Sequence, residues 1–223
     1  MPSRSDLRER RLYLCTPDRP DLAAFVAACI RGGVDLVQLR EKELEARPLL
    51  RRAALTRAVC HDLGVPFILN DRPDLALEVR ADGVHVGQDD APVRLARRIL
   101  GHHAIVGLST HRDDELEEAL SEPVDYLSAG PVHPTPTKPG RPGTGEGYVA
   151  TATHRSTVPV FVTGGVEPSC VERLVAVGAR HFVAVRWLTQ ASDPEEAARL
   201  LRRAIDRAIA RADEHNEAQR DRN

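Results

Sequence analysis

The chain alternates short, near-continuously apolar runs with longer stretches whose apolar residues recur at helical spacing. The short runs lie at 12–15, 36–39, 66–69, 83–86, 104–108, 126–129, 160–162 and 182–185. A strand carries this unbroken pattern when both of its faces are covered. The amphipathic stretches lie between the runs, at 21–31, 45–63, 72–79, 92–100, 112–120, 148–154, 169–177 and 193–212, with 72–79 and 148–154 the weakest helices. Asp193-Pro194 followed by Glu195-Glu196 combines an N-cap, a first-turn proline and acidic residues at the positive end of a helix. Gly32, Gly64, Gly101 and Gly178 fall just past helical stretches, where a left-handed cap is expected. Eight strand–helix units predict a single-domain α/β protein, a closed (β/α)8 TIM barrel. An open doubly wound sheet would have fewer strands and often a Gly-rich turn after the first, where this chain has Thr16-Pro17-Asp18.

The expected limits are a flexible N-terminal segment at 1–10, the barrel at 11–212 and a disordered charged tail at 213–223. Residues 130–147 are rich in Pro, Gly and Thr and too long for a passive connection, which suggests an active-site flap. Aromatic residues make up only 4% of the chain against 42% hydrophobic, so Val, Leu, Ile and Ala must build the core. A net charge of −2 gives no basic field for nucleic acid or an anionic membrane. The apolar runs are far too short to span a bilayer, and the N-terminus lacks a signal-peptide pattern, so a cytoplasmic protein is expected. Cys15, Cys29, Cys60 and Cys170 form no paired motif and lie in apolar stretches, as buried structural thiols do. The chain has 29 arginines but only two lysines, Lys42 and Lys138, both in loops. Lysine is a compact point charge where arginine is a planar fork, so lysines kept against this bias are candidates for function.

A barrel of this kind carries its chemistry at the C-terminal ends of its strands. Polar or glycine-rich groups end seven of the eight runs: Gln38, Arg40 and Lys42; Asn70 and Asp71; Gln88, Asp89 and Asp90; Ser109, Thr110 and His111; Thr135, Thr137 and Lys138; Thr163, Gly164 and Gly165; and Val185 with Arg186. Arg40, Lys42 and Lys138 can bind several phosphate oxygens. Asp71 and Asp90 are hard oxygen donors suited to Mg2+ held jointly with a diphosphate. Asp90 could instead start a helix, and Asp71 could pair with Arg72. Gly164-Gly165 either admits a phosphate close to the backbone or makes a tight turn. His85, between Val84 and Val86, is either a hydrogen-bonded core histidine or a contact to the organic part of a substrate. No Gly-x-Ser-x-Gly or Walker A sequence supports a hydrolase triad or P-loop chemistry.

Six motifs together resemble the thiamine-phosphate synthase family: Gln38-Leu-Arg-Glu-Lys42, Asn70-Asp71-Arg72, Gly83-Val-His-Val-Gly-Gln-Asp-Asp90, Gly107-Leu-Ser-Thr-His111, Gly130-Pro-Val-His-Pro-Thr-Pro-Thr-Lys138 and Thr163-Gly-Gly-Val166. The resemblance implies an enzyme that joins hydroxymethylpyrimidine diphosphate to thiazole phosphate and releases pyrophosphate, with Mg2+ as cofactor. It places Gln38, Arg40, Lys42, Asn70, Ser109 and Lys138 on the pyrimidine diphosphate. Arg40, Lys42, Ser109 and Lys138 are then the groups that act on the departing diphosphate. Asp71 and Asp90 match the magnesium ligands. Thr135, Thr137, Gly165 and the backbone at Val185 and Arg186 match the thiazole phosphate site. Val185-Arg-Trp-Leu188 departs from the family, which more often has a serine or another small residue there.

The implied mechanism is dissociative. The diphosphate leaves with its electrons, the aminopyrimidine delocalises the methylene cation, and the thiazole nitrogen attacks without a general base. Catalysis then rests on stabilising the leaving group and aligning two substrates. A thiazole tautomerase of the same fold, or a barrel that binds a phosphorylated ligand without catalysis, would not need Asp71, Asp90 and Lys138 together. The expected partners are small molecules, with neither nucleic acid nor membrane, and the sequence leaves self-association into a homo-oligomer open.

Overall fold

The computed structural model describes residues 4–134 and 143–220. Eight parallel strands, hydrogen-bonded in chain order, close into a barrel. They are β1 (Leu12–Thr16), β2 (Leu36–Leu39), β3 (Phe67–Asn70), β4 (Gly83–Val86), β5 (Ile105–Thr110), β6 (Tyr126–Ala129), β7 (Val160–Val162) and β8 (His181–Ala184). Each is buried along its whole length, which is why the sequence shows runs rather than alternation. Around them lie α1 (Leu22–Arg31), α2 (Ala46–Asp62), α3 (Pro73–Glu78), α4 (Val93–Leu100), α5 (Asp113–Ala119), α6 (Gly145–Arg155), α7 (Val171–Ala176), a short α8 (Arg186–Thr189) and α9 (Pro194–Arg220). Among the described residues, no helix is long and apolar enough to cross a membrane.

The two faces of the sheet hold different cores. Leu, Val, Ile and Ala fill the layer between strands and helices, as the composition requires. Phe25, Phe67, Phe182 and Tyr148 join that layer, while Tyr13, Tyr126 and Phe161 lie inside the barrel. Tyr13, Tyr126 and Phe161 meet edge to face with ring centroids 5.9, 5.4 and 5.2 Å apart. Leu36, Ile68, Ile105 and Val183 complete that interior.

Three details differ from the sequence reading. Within the segment expected to be flexible, Arg4–Glu9 forms a short 3-10 helix, and Leu7 packs into the barrel interior at 1% exposure. At the other end, the limit at 212 marks no helix end, because α9 continues to Arg220. No Gly or Pro interrupts that stretch, so losing the apolar stripe signals only that burial has stopped. Gly32 is not left-handed either: its φ is −75°, and Gly33 takes the turn at +112°. A Cβ on Gly32 would lie 2.3 Å from the Glu195 carbonyl oxygen, so this glycine lets α1 meet α9.

His181 gives the barrel an acid limit. Its ring tilts against Phe161, and Nδ1–H donates to the Arg10 carbonyl. Burial drives its pKa down from 6.5 to about 4, against the pull of that hydrogen bond. The unfolded chain takes up this proton near pH 6.5 and the folded chain only near 4. Stability should therefore hold above pH 6.5 and fall by about 1 kcal/mol per pH unit between there and pH 4. Urea midpoints across that range should fall less steeply in His181→Gln. Parallel pH dependences for the two proteins would remove His181 from this role.

Candidate active site

One cavity of about 900 Å3 lies over the C-terminal ends of the strands. Gln38 of β2 lines it, with Arg40 and Lys42 from the loop beyond. Asn70 ends β3 and Asp71 follows it. His85 comes from β4, Asp90 from the next loop and Ser109 from β5. On the far side are Gly165, after β7, and Val185 with Arg186, after β8. Every predicted site residue that the structure describes thus lines the same cavity. Thr135, Thr137 and Lys138 lie outside the described residues, as does the middle of the stretch read as a flap.

Asp71, Asp90 and Lys42 form a compact charged group. Lys42 Nζ is 2.7 Å from Asp71 Oδ2 and 4.0 Å from Asp90 Oδ1. Neither alternative for the carboxylates holds. Arg72 pairs with Asp74 rather than Asp71. Asp90 Oδ2 accepts the Gly87 N–H at 2.9 Å, while α4 starts from Pro92 without a side-chain cap. Burial raises the Asp71 pKa, and neighbouring Asp90 pushes it further, against the hydrogen bond from Lys42. Burial also penalises the Asp90 anion, but hydrogen bonds from Asp71 and the Gly87 N–H, with the charge of Lys42, hold its pKa below the usual value. Asp71 has a left-handed φ of 61°, held by its N–H donating to the His85 carbonyl at 2.8 Å. Backbone strain of this kind in a non-glycine residue clusters at functional sites.

The cavity floor is polar. His85 Nδ1 lies 2.9 Å from the Tyr126 hydroxyl, and Nε2 lies 2.9 Å from Ser109 Oγ. His85 is thus hydrogen-bonded inside the barrel and also lines the cavity. Gln38 Nε2 donates to the Tyr13 hydroxyl at 2.6 Å, and Gln88 Nε2 donates to the Ser109 carbonyl at 2.6 Å. Asn70 Nδ2 is buried without a hydrogen-bond partner among the described residues. A buried donor left unmatched costs about 1–3 kcal/mol, so a ligand acceptor would be favoured beside it.

The opposite side is backbone-rich. Gly164 and Gly165 have φ of 96° and 78°, and a Cβ on Gly165 would sit 3.1 Å from His133 Cδ2. α8 follows directly on Val185, so the chain ends of β7 and β8 form the arrangement that barrels use to hold phosphate. His111 also lines the cavity. Its backbone N–H and Nδ1 both reach Glu115 Oε2, at 2.8 and 2.9 Å, so Glu115 closes the start of α5.

Sequence reasoning missed Tyr13, Cys15, Tyr126 and Ser128. Three of these line the cavity, while Tyr126 braces its floor from behind His85. All four stand inside runs read simply as strand. Their signal was a hydroxyl or thiol within an apolar strand, and a buried phenol needs a partner for its O–H.

The chain is a closed parallel barrel that gathers cations, paired carboxylates and a double-glycine turn on its C-terminal rim, where barrels of this fold carry their active sites. The sequence model of the family described as thiamine monophosphate synthase matches residues 12–188, and the chain belongs to that family. A thiamine-phosphate synthase from Thermobifida fusca is 46% identical over 213 residues, covering 93% of this chain and 97% of that protein. One from a Nostoc species is 43% identical over 188 residues, covering 84% of this chain and 54% of that protein. The chain therefore spans about half the length of the two Nostoc relatives it matches. Among solved structures, a thiamine phosphate pyrophosphorylase from Pyrococcus furiosus superposes with a TM-score of 0.82 at 27% identity, covering 92% of this chain and 98% of that one. A 3-hexulose-6-phosphate synthase, at 0.65 and 19% identity, shares the fold.

Proposed function

We propose that this chain condenses hydroxymethylpyrimidine diphosphate with thiazole phosphate, giving thiamine phosphate and pyrophosphate. One observation carries the reading. The charged group of Arg40, Lys42, Asp71 and Asp90 and the double-glycine turn face one cavity of about 900 Å3. Pockets of that size hold drug-sized ligands, so two small substrates can lie in contact there.

The pyrimidine diphosphate takes the charged side. Arg40 offers a fork for phosphate oxygens, and Lys42 a point charge. Gln38, Asn70, His85 and Ser109 surround the organic part and the bond that breaks. Asp71 and Asp90 fit Mg2+: both are hard oxygen donors beside the cations that would hold a diphosphate. Among the described residues, no group of three or more His, Cys, Asp or Glu gathers to cage a metal. The remaining oxygen ligands would then be water and substrate, as Mg2+ prefers. Bound there, Mg2+ would neutralise charge on the diphosphate. Arg40, Lys42 and Ser109, with Lys138 as the sequence resemblance places it, hold the leaving group while the C–O bond breaks with its electrons going to pyrophosphate. Gly165, Val185 and Arg186, with Thr135 and Thr137 by the same resemblance, hold the thiazole phosphate so that its ring nitrogen faces the methylene cation.

Pyrophosphate release by the purified chain tests the reading directly. Release should require both substrates. Isomerisation of a thiazole without pyrophosphate release would support the tautomerase reading instead. Binding of both substrates without turnover would leave a non-catalytic binder.

The two sides also separate by mutation. Gly165→Val should raise the Michaelis constant for thiazole phosphate by about tenfold, or ~1.4 kcal/mol. It should change that for the pyrimidine diphosphate far less. A melting curve checks the fold, because valine at a φ of 78° is strained. Equal loss for both substrates in a folded variant would sink the assignment.

A further inference from the structure

Six side chains from five strands form one hydrogen-bonded line across the barrel interior. Cys15 Sγ reaches Gln38 Oε1 at 3.3 Å, and Gln38 Nε2 reaches the Tyr13 hydroxyl at 2.6 Å. The Tyr13 and Tyr126 hydroxyls are 2.9 Å apart. Tyr126 is 2.9 Å from His85 Nδ1, and His85 Nε2 is 2.9 Å from Ser109 Oγ. We infer that Tyr13 and Tyr126 are positioning residues: they hold His85 in its Nε2–H form and so turn the Ser109 hydroxyl into a hydrogen-bond donor facing the cavity.

The direction of the line follows from its Gln38 end. The amide carbonyl faces the Cys15 thiol, and the amide N–H faces Tyr13. Turning the amide over would place a strong N–H donor against a thiol sulfur, the poorest acceptor in the set. A phenol has one hydrogen to give. Tyr13 accepts from Gln38, so it donates to Tyr126, and Tyr126 then donates to His85 Nδ1. A neutral imidazole that accepts at Nδ1 carries its hydrogen on Nε2. That hydrogen goes to Ser109 Oγ, and the serine's own hydrogen remains for a ligand. On the function proposed above, on which this inference rests, that donor meets the diphosphate oxygens, where negative charge grows as the bond breaks.

Packing shows that the Tyr126 hydroxyl is placed by more than space filling. Its ring stacks on His85 at 5.4 Å and 22°, and meets Phe161 edge to face at 5.2 Å. Its cross-strand neighbour is Gly107 of β5. A Cβ there would lie 2.1 Å from Tyr126 Cζ and 2.5 Å from its hydroxyl oxygen. The strand gives up a side chain so that this phenol can lie across it. Phenylalanine would fill the same space and keep the ring contacts, so only the hydroxyl's hydrogen bonds remain to explain the tyrosine.

Nitrogen-15 NMR on histidine-labelled protein tests this, with the His85 signals assigned by their loss in His85→Gln. The wild-type ring should show a protonated Nε2 and a bare Nδ1. In Tyr126→Phe that pattern should collapse toward a mixture of the two forms. Turnover should fall about tenfold or more, the scale on which outer partners of a functional imidazole act. The Michaelis constant for the pyrimidine diphosphate should stay within about twofold, since the lost interaction strengthens only as charge develops. A wild-type His85 protonated on Nδ1 or on both nitrogens would overturn the inference, as would a Tyr126→Phe protein with unchanged signals or unchanged turnover. The wild-type measurement needs no variant, so a variant that fails to fold cannot shelter the claim. Wild-type protein that releases no pyrophosphate defeats the proposed function. Active wild type with the opposite ring form defeats this inference alone.

Discussion

Asp71→Asn should lower turnover about 100-fold and shift the Mg2+ concentration for half-activation upward by at least about tenfold, as expected when one of few charge-bearing groups at a leaving group is lost. Asparagine is the informative replacement. It keeps the shape of the side chain and tolerates the left-handed φ of 61°, so the change isolates the charge. The geometry sets the scale. Asp71 and Asp90 share one neighbouring cation, Lys42, at 2.7 and 4.0 Å. Asp90 raises the Asp71 pKa, so a divalent cation bound between the two carboxylates would offset a cost that Lys42 only partly relieves. Chelation of Mg2+ should stop the wild-type reaction, and added Mg2+ should restore it. Full activity in chelator, or an Asp71→Asn enzyme with the parent's Mg2+ dependence, would eliminate the proposed metal site. Asp90→Asn should move the Mg2+ dependence in the same direction. Its amide oxygen can still accept the Gly87 N–H, so the loop keeps that contact.

Lys138→Ala should lower turnover about 100- to 1000-fold, the usual cost of removing one preorganised group that stabilises developing charge. The Michaelis constant should change less, because the interaction is strongest when the diphosphate departs. The argument comes from the sequence. Lys138 is one of two lysines beside 29 arginines, and it lies in the Pro- and Gly-rich stretch between β6 and α6. The other lysine, Lys42, stands in the charged group described above. Lys138→Arg should rescue only in part, since the guanidinium differs in shape and reach. Turnover within about twofold of the parent, under ~0.5 kcal/mol of barrier, would remove Lys138 from the mechanism.

The sequence by itself determined the barrel and the rim on which the candidate residues gather. Strands buried on both faces read as unbroken apolar runs, and helices over a barrel read as one-sided stripes, so both periods are visible without coordinates. Polar groups at strand ends break those runs, which made Gln38, Asn70, Asp71 and Ser109 legible as candidates. The tertiary structure decided everything that depends on what lies opposite a residue. It chose Lys42 over Arg72 as the partner of Asp71, and Gly87 over a helix start as the partner of Asp90. It put Gly32 against α9, more than 160 residues away in sequence. It also brought Tyr13 and Tyr126 into contact across the barrel, 113 residues apart, to meet His85 and Ser109. An apolar run records that a strand is covered but not which of its side chains face the barrel axis or what they meet there. That choice is made by strand register and barrel closure, and no local pattern encodes either.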